Sequence, residues 1–431
     1  MTLLEELAAR RRFGMRPGLD AIRAVCASLG DPQKAFKAIH VAGTNGKGAV
    51  CAILDAALRA MPGTRVGRYT SPHLVRINER FFLEGSPVDD RTLELISSRI
   101  DSTIRRFDDS TISNLTFFEA LTAIAFLIYA EANVDYAVLE CGLGGRLDAT
   151  NVCCPELCVI TKIGLDHCDW LGDTVEKIAA EKAGIVKPGV PVVLGRNEPS
   201  VRAVVEARAR ELGAPFFYAP ELASEDEVPA DFSLVGAFNR ENAVTAFAAL
   251  KILNGSRMVT PAQVDAFARV VWPGRFQRVG DTLVDGAHNP PAARALRKAL
   301  EAEDVRQKTL DLICGFCGDK DAEEVLRILS PLVRRGYAVR TNNPRSLSAE
   351  ETAAKMRAVG MDAVACASLA DALALAERPN ACGRLGIRTL VCGSLFLSGE
   401  ALVALGAFPW PSGRFDPSER LSRNHSREVL V

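Results

Sequence analysis

Short runs of β-branched residues alternate along the chain with longer segments in which apolar residues recur every three or four positions. The first run, at 36–42, is followed at 48–59 by an apolar face formed by Val50, Ile53, Leu54, Ala57 and Leu58. A strand followed by an amphipathic helix is typical of βαβ units, so the pattern predicts a mostly parallel sheet. Further strands are predicted at 65–69, 136–140, 157–163 and 191–194, and another helix at 174–183.

A second alternating block begins near residue 280, and Pro273-Gly274 interrupts the pattern just before it. The fold class predicted is α/β, with two doubly wound domains. The expected boundaries are 1–272 for the larger domain, 273–280 for a linker, 281–410 for the smaller domain and 411–431 for a polar, disordered tail. The second block is predicted to hold strands at 282–285, 309–315, 337–341, 363–367 and 389–392, and helices at 291–302, 321–329, 349–359 and 371–377.

The composition argues against several classes of protein. The 431 residues include 52 Lys and Arg against 53 Asp and Glu, a net charge of −1, which argues against a protein that binds nucleic acid through phosphate contacts. The longest apolar stretch, 120–130, is shorter than the ~20 residues needed to span a bilayer, so a buried helix is expected there. With no signal-like N-terminus and twelve scattered Cys, we expect a cytoplasmic protein with free thiols, and Cys314-x-x-Cys317 lacks the second pair of a zinc site.

The segment after the first predicted strand, Gly43-Thr44-Asn45-Gly46-Lys47-Gly48, has the composition of a phosphate cradle. Backbone N–H groups, a helix N-terminus and a lysine would all face an anion there. The segment departs from a strict Walker A loop, since Val41 and Gly48 replace its first glycine and its Ser or Thr. The alternative is a glycine-rich turn with a surface lysine.

Three further predicted strands end next to polar side chains: Ser71 and His73, Glu140, and Asp166 and His167. The carboxyl ends of parallel strands share one edge of a sheet, so these residues should lie near the phosphate cradle, where an acid could hold Mg²⁺. Taken singly, each residue could instead cap a helix or pair with an arginine.

A glycine-rich loop at 142–151 follows Glu140. It is either a substrate loop whose backbone approaches a ligand closely, or a tight connection capped by Asp148 and Asn151. At the start of the next apolar helix, Phe117 and Phe118 are more typical of a core than of a ligand platform.

Taken together, these motifs resemble those of the dihydrofolate synthase/folylpolyglutamate synthase family of the Mur ligase superfamily. The resemblance runs in order along nearly the whole chain except the tail. It rests on residues 43–48, 70–74, 78–80, 116–119, 140, 142–151, 164–167, 170–172, 181–185, 273–276, 285–290, 319–321 and 392–394.

The resemblance implies a P-loop-type Mur ligase central domain followed by a smaller Rossmann-like domain that carries the glutamate ligase function. It implies an ATP-dependent ligase that phosphorylates a pterin carboxylate and then joins it to L-glutamate. The substrates would be ATP, L-glutamate, dihydropteroate and reduced folates. Two Mg²⁺ sites are expected, with K⁺ as a further cation, and the protein would be a monomer.

Residue roles carry over from the same motifs. Lys47, Lys182 and His167 would be catalytic, and Lys182 would be carboxylated so that it helps to bind a second Mg²⁺; an unmodified lysine paired with an acid is the plain alternative. Phe118 and Asp148 would bind the pterin. Ser71, Glu140, His167 and Lys182 would bind metal, and Gly43, Thr44, Asn45, Gly46, Lys47, Gly48, Asn242, Arg275, Asp285 and His288 would bind ATP between the domains.

One departure from the family is Ala49, where a hydroxyl residue is usual. Two other functional hypotheses stay open: an enzyme with folylpolyglutamate synthase activity alone, and a non-catalytic nucleotide-binding regulator. A kinase is disfavoured by the second domain. A peptidoglycan Mur ligase is disfavoured because only some 35 residues precede the first predicted strand.

Overall fold

The computed structural model describes residues 18–106, 115–255, 258–376 and 386–410. The tail at 411–431, for which disorder was expected, lies outside the described residues. Within them, no helix is long and apolar enough to cross a membrane.

The first sheet has eight strands in the order β4-β3-β2-β5-β1-β6-β7-β8. Six of them run parallel, and β3 and β4 form an antiparallel edge. Because Val41 of β1 pairs with Glu140 of β5, the carboxyl ends of the central strands lie side by side. The strands are β1 Lys37–Ala42, β2 Val66–Tyr69, β3 Phe81–Leu83, β4 Ser86–Pro87, β5 Tyr136–Glu140, β6 Pro155–Ile160, β7 Val192–Leu194 and β8 Phe216–Tyr218.

Helices cover both faces of the first sheet. The apolar segment at 120–130 is part of a buried helix, α4, as its composition predicts, and Thr116 and Glu119 cap the start of that helix. The helices are α1 Asp20–Ser28, α2 Lys47–Arg59, α3 Asp90–Ile104, α4 Phe117–Glu131, α5 Cys168–Leu171, α6 Val175–Ala183, α7 Pro199–Glu211, α8 Ala219–Leu222, α9 Ala237–Leu253 and α10 Pro261–Asp265.

The second sheet has six strands in the order β13-β12-β11-β14-β10-β9, parallel except for β9. Its strands are β9 Gln277–Val279, β10 Thr282–Val284, β11 Leu310–Cys314, β12 Val333–Ala338, β13 Ala363–Ala365 and β14 Thr389–Cys392. Its helices are α11 Pro290–Ala302, α12 Ala322–Leu329, α13 Ala349–Ala358, α14 Leu369–Ala376 and α15 Leu395–Ala404. The two parallel-rich sheets confirm the predicted α/β fold class.

The predicted strand that lies furthest from its observed position is in the second sheet. The sequence pattern predicts 337–341, whereas β12 is Val333–Ala338. Two arginines obscure the first half of the strand. Arg334 pairs with the buried Asp311 of β11, and Arg335 pairs with Asp362 at 3.4 Å. Charged residues whose partners lie elsewhere in the chain cannot be distinguished from a polar loop by periodicity alone.

The loop after β2 contacts the body built on the second sheet. Leu74 packs against the apolar cluster beneath that sheet. A Cβ on Gly274 would lie 3.3 Å from the Leu74 side chain, and one on Gly399 would lie 2.5 Å from the Leu74 carbonyl oxygen. The ring of His73 meets Phe396 of α15 edge-on, with centroids 6.5 Å apart. The two bodies are therefore joined by close contact at this loop as well as by the linker.

Candidate active site

The phosphate loop, residues 43–48, turns sharply between β1 and α2. Gly43 and Gly46 have φ of 152° and 87°, and the Gly46 conformation is one that side chains disfavour. A Cβ on Gly43 would overlap the Thr161 hydroxyl, and one on Gly46 would lie 2.9 Å from Cγ of Asn242. Glycine is required at both positions because the loop lies directly against β6 and α9. Asn242, predicted from sequence as an ATP contact, therefore touches the phosphate loop.

The phosphate loop is also fixed from within. The backbone N–H groups of Thr44 and Asn45 donate to the Lys162 carbonyl at 2.9 and 3.1 Å. The ammonium of Lys47 donates to the carbonyls of Gly43 at 3.1 Å and Thr44 at 3.3 Å. The positively charged ammonium of Lys47 therefore lies over the turn at the N-terminus of α2, where a bound anion is electrostatically favoured.

Gly48, which departs from the strict Walker pattern, has a packing explanation. A Cβ there would lie 2.8 Å or less from atoms of the Trp272 ring, so no side chain fits. The Arg68 guanidinium lies 5.5 Å from the centroid of that ring and 3.8 Å from that of Phe82. Arg68 is buried and pairs with Asp55 of α2 at 3.3 Å. Trp272, just before the linker, therefore packs against the phosphate loop, and the Arg68–Asp55 ion pair lies next to the Trp272 ring.

Glu140 and Ser71 lie together at the carboxyl edge of the first sheet. The Ser71 N–H donates to Oε2 of Glu140 at 2.9 Å. Burial raises the pKa of Glu140, while Lys47, Arg275 and Arg80 favour its ionised form. Glu140 is therefore a buried acid with three cationic residues close enough to stabilise its ionised form.

His167 and its neighbour Asp166 contact the second body. Lys320 Nζ lies 3.0 Å from Oδ1 of Asp166 and 3.3 Å from Nε2 of His167. Asn289, the N-cap of α11, donates to Oδ2 of Asp166 at 2.8 Å and to Oδ1 of Asn45 at 3.3 Å. Burial is the main cause that lowers the pKa of His167, so its ring is neutral at pH 7 and able to bind a metal.

From the sequence, Asp166 was expected only to lie near the phosphate cradle, and Asn289 and Lys320 had no predicted role. Each lies inside a motif on which the family resemblance rests, and that motif was the available signal. What the sequence could not give is the pairing, because Asp166 and Lys320 are 154 positions apart.

Arg275, Asp285 and His288 form the part of the site contributed by the linker and the second body. Asp285 accepts the N–H of Phe276 at 2.7 Å and that of Ala287 at 2.8 Å. Burial lowers the pKa of Arg275, and Asp285 opposes that shift. Nδ1 of His288 lies 2.7 Å from the Gly286 carbonyl, and burial lowers the pKa of His288 to about 4. The imidazole is therefore neutral at pH 7.

Lys182 is a buried amine on α6, only 4% exposed. Burial lowers its pKa to about 7, and the nearby Lys47 contributes to the shift. Among the described residues, its ammonium group has neither a hydrogen-bond nor an ion-pair partner. With a pKa near 7, a substantial fraction of the amine is neutral and nucleophilic at neutral pH, which is the chemical requirement for reaction with CO₂.

The glycine-rich loop, residues 142–151, packs against the end of α6 next to Lys182. A Cβ on Gly145 would lie 2.9 Å from the carbonyl oxygens of both Glu181 and Lys182. The Arg146 N–H donates to the Glu181 carbonyl at 2.9 Å. Position 145 must be glycine because the loop backbone lies directly on the helix.

Asp148 binds its own loop. Its Oδ2 accepts the N–H groups of Gly142 and Leu143, each at 2.9 Å, and its Oδ1 accepts the N–H of Thr150 at 3.1 Å. The capping alternative raised from the sequence therefore describes its contacts. Phe118 packs on the other side of the loop, against Gly142, with its ring centroid 6.0 Å from that of Tyr69.

The metal-binding candidates form a mixed donor set. No group of three or more His, Cys, Asp or Glu side chains is placed to hold a metal ion anywhere in the described ranges. The candidates offer a hydroxyl from Ser71, a carboxylate from Glu140 and an imidazole from His167. Oxygen donors with one neutral nitrogen suit Mg²⁺ or Mn²⁺, which take remaining ligands from phosphate and water.

Comparisons with known proteins place the chain among ligases. Residues 41–218 match the Mur ligase middle domain, and residues 274–395 match the Mur ligase glutamate ligase domain. The chain is 32% identical over 368 residues to the dihydrofolate synthase/folylpolyglutamate synthase of Bacillus subtilis, covering 79% of this chain and 85% of that protein.

Two solved structures are also similar. One is Mycobacterium tuberculosis folylpolyglutamate synthase complexed with ADP and AMPPCP, with a TM-score of 0.85, 30% identity, and coverage of 94% of this chain and 99% of that one. The other is the bifunctional folylpolyglutamate synthase/dihydrofolate synthase from Yersinia pestis complexed with AMPPNP and an Mn ion. Its TM-score is 0.80 and its identity 30%, with coverage of 94% of this chain and 97% of that one.

Proposed function

The chain belongs to the dihydrofolate synthase/folylpolyglutamate synthase family of Mur ligases, and from that premise we propose that it carries both activities of the family. It is an ATP-dependent ligase that adds L-glutamate to folate-type acids. The finer proposal is that it accepts dihydropteroate as well as reduced folates. The observation that carries the function is the junction at the phosphate loop, where Asn289 and Lys320 of the second body contact Asn45, Asp166 and His167 of the first.

ATP is proposed to bind between the two bodies. The phosphate loop, Lys47 and Asn242 would hold the phosphates, and Arg275, Asp285 and His288 would contact the nucleotide from the linker and the second body. The hydrogen bonds from Asn289 to Asp166 and Asn45 support this arrangement, because they join the two bodies at the phosphate loop. The division into domains at 1–272 and 281–410, joined by 273–280, is part of the same proposal.

The divalent metal that the ligase uses is proposed to be Mg²⁺, held by Ser71, Glu140 and His167. When bound, it neutralises charge on the transferred phosphoryl group. Glu140 fits this role because it is a buried carboxylate, and His167 fits because its ring is neutral. A second Mg²⁺ on a carboxylated Lys182, and K⁺ as an additional cation, complete the proposal.

Residues of the chain would bring the reacting groups together and keep their charges balanced. Lys47 would stabilise the negative charge that develops as the γ-phosphate moves to the pterin carboxylate. The product of that step is an acyl phosphate, which the amine of L-glutamate attacks with release of phosphate. Phe118 and the loop held by Asp148 would bind the pterin. The monomeric state and the cytoplasmic location expected from the sequence stay predictions.

The first test measures phosphate released from ATP in the presence of Mg²⁺, with dihydropteroate and tetrahydrofolate supplied separately, each with and without L-glutamate. Release with both acids, dependent on glutamate, is the expected result. Release with tetrahydrofolate alone would leave a folylpolyglutamate synthase. Nucleotide binding without release in either case would reject the ligase and favour the regulator.

A labelling experiment tests the intermediate. With ¹⁸O in the pterin carboxylate, an acyl phosphate transfers one labelled oxygen to inorganic phosphate and yields ADP. An adenylate would instead place the label in AMP, which would contradict the proposed step. The Lys47→Met variant serves as the matched control, because it removes the charge and keeps a side chain of similar length.

A further inference from the structure

A buried histidine lies behind the glycine-rich loop, outside the set of residues that the family motifs assign. His40 is the fourth residue of β1 and is fully buried. Its Nε2 lies 2.7 Å from Oγ1 of Thr150 and 3.1 Å from Sγ of Cys141. Its Nδ1 has no hydrogen-bond partner among the described residues. A buried imidazole nitrogen without a hydrogen-bond partner lowers the stability of the folded protein, so its presence calls for an explanation.

The hydrogen bonds around Thr150 have a defined direction. The Thr150 hydroxyl lies 2.5 Å from Oδ1 of Asp148, and an ionised carboxylate can only accept. The single hydroxyl proton is therefore donated to Asp148. It follows that Nε2 of His40 carries a proton and donates it to Thr150, which leaves Nδ1 as the unsatisfied acceptor. The direction runs from His40 through Thr150 to Asp148.

Asp148 has no acceptor capacity left. Thr150 supplies two donors to Oδ1, its N–H and its hydroxyl, and the N–H groups of Gly142 and Leu143 supply two to Oδ2. A carboxylate offers about four lone-pair positions, and all of them are used. Asp148 therefore influences a ligand through the loop backbone that it holds, since its carboxylate has no free position for a direct contact.

We propose that His40 and Thr150 are positioning residues that orient Asp148, fix the first turn of the glycine-rich loop and thereby set the affinity for the pterin acid. The inference rests on the proposed function for the identity of that acid. Burial of all three side chains supports it, since no water competes for their hydrogen bonds. The low pKa of His40, which burial lowers to about 3, agrees with a neutral donor.

Two pairs of variants test the proposal. Thr150→Val keeps the shape of the side chain and removes the hydroxyl, whereas Thr150→Ser keeps the hydroxyl. His40→Leu removes the donor, whereas His40→Gln can place an amide N–H near the position of Nε2. We expect Thr150→Val to raise the KM for dihydropteroate about tenfold and to leave the KM for ATP within about twofold of the wild-type value. Thr150→Ser should restore the KM for dihydropteroate.

Hydrogen–deuterium exchange gives a readout that needs no turnover. The amides of Gly142 and Leu143 should exchange faster in Thr150→Val than in Thr150→Ser. If Thr150→Val does not fold, the same comparison is made between His40→Leu and His40→Gln. Wild-type protein that turns over neither acid would reject the proposed function. The exchange rates would still decide whether His40 and Thr150 fix the first turn of the glycine-rich loop.

Two results would overturn the proposal. One is equal exchange rates and equal KM values for the Val and Ser variants. The other is a parallel rise in the KM values for dihydropteroate and ATP together with a lower melting temperature, which would indicate a structural role alone.

Discussion

Replacing Gly46 by alanine should separate backbone strain from steric overlap in the phosphate loop. Gly46 has φ of 87°, and a Cβ there would lie 2.9 Å from Cγ of Asn242 and closer still to its Oδ1. Gly189 supplies the matched control. Its φ is 71°, and a Cβ would meet nothing within 4 Å. Both substitutions therefore impose a left-handed backbone on alanine, but only the first also creates an overlap.

The expected loss of stability is the sum of the cost of the left-handed backbone and the cost of the steric overlap. A left-handed conformation costs an alanine about 1–2 kcal/mol, so the free energy of unfolding should fall by about that amount for Gly189→Ala. Overpacking at a filled position costs about 1–3 kcal/mol more, so Gly46→Ala should lose about 2–5 kcal/mol in all. The overlap is relieved only if the loop or Asn242 moves. Because this loop is proposed to hold the nucleotide phosphates, we also expect the Kd for ADP to rise about tenfold.

The assay combines urea unfolding with calorimetric titration of ADP and Mg²⁺ on both variants. The Gly46→Ala/Asn242→Ala double variant isolates the overlap, because it should recover the stability lost to overpacking but not that lost to backbone strain. The reasoning fails if Gly46→Ala and Gly189→Ala lose the same stability, or if the Kd for ADP changes equally in both.

Three further outcomes follow from buried groups. Asp55→Asn should lower the free energy of unfolding by about 3–5 kcal/mol because it leaves Arg68 buried without its partner. Asp173→Asn, in the exposed pair with Lys177, should change it little. Thermal melts of both variants compare them. The His40 side chain stays neutral in the folded protein, whereas in the unfolded chain it becomes protonated below pH 6.5. Its contribution to the free energy of unfolding is therefore complete above pH 6.5 and is lost as the pH falls towards 3. His40→Gln should therefore flatten acid unfolding curves in that window by up to about 1.4 kcal/mol per pH unit. Ala49→Ser should leave the Mg²⁺ concentration for half-maximal rate within about twofold, because Ala49 lies in the apolar cluster between α2 and the sheet; a larger change in a magnesium titration would show that the missing hydroxyl matters.

The fold could be predicted where strands are buried on both faces. The predicted segments 136–140 and 389–392 coincide with β5 and β14, because buried parallel strands are continuous apolar runs. The pattern failed at β12, where Arg334 is neutralised by Asp311 on the neighbouring strand. Periodicity describes each segment alone, so it cannot register a charge whose partner is 23 positions away.

Only some features of the candidate site could likewise be predicted from the sequence. Local motifs were enough to propose the phosphate loop and the strand-end residues, since a glycine-rich turn and a terminal acid are visible in a few consecutive positions. They could not reveal that Gly48 is required by the Trp272 ring, or that Lys320 lies against Asp166. Those facts depend on how the two bodies meet, and no short stretch of sequence contains that information.

Because Leu74 contacts Gly274 of the linker and Gly399 of the second body, the spacing of the bodies depends on side-chain size. Gly274 and Gly399 admit the loop that carries Ser71 because they have no Cβ. A methyl group at 399 would act as a spacer, holding the two sheets apart while each stays folded. Separation would draw Arg275 away from the phosphate loop, and it would also shift the loop that carries Ser71. The half-buried Leu74 thus links the proposed metal and nucleotide sites, so a change at one should also alter the other.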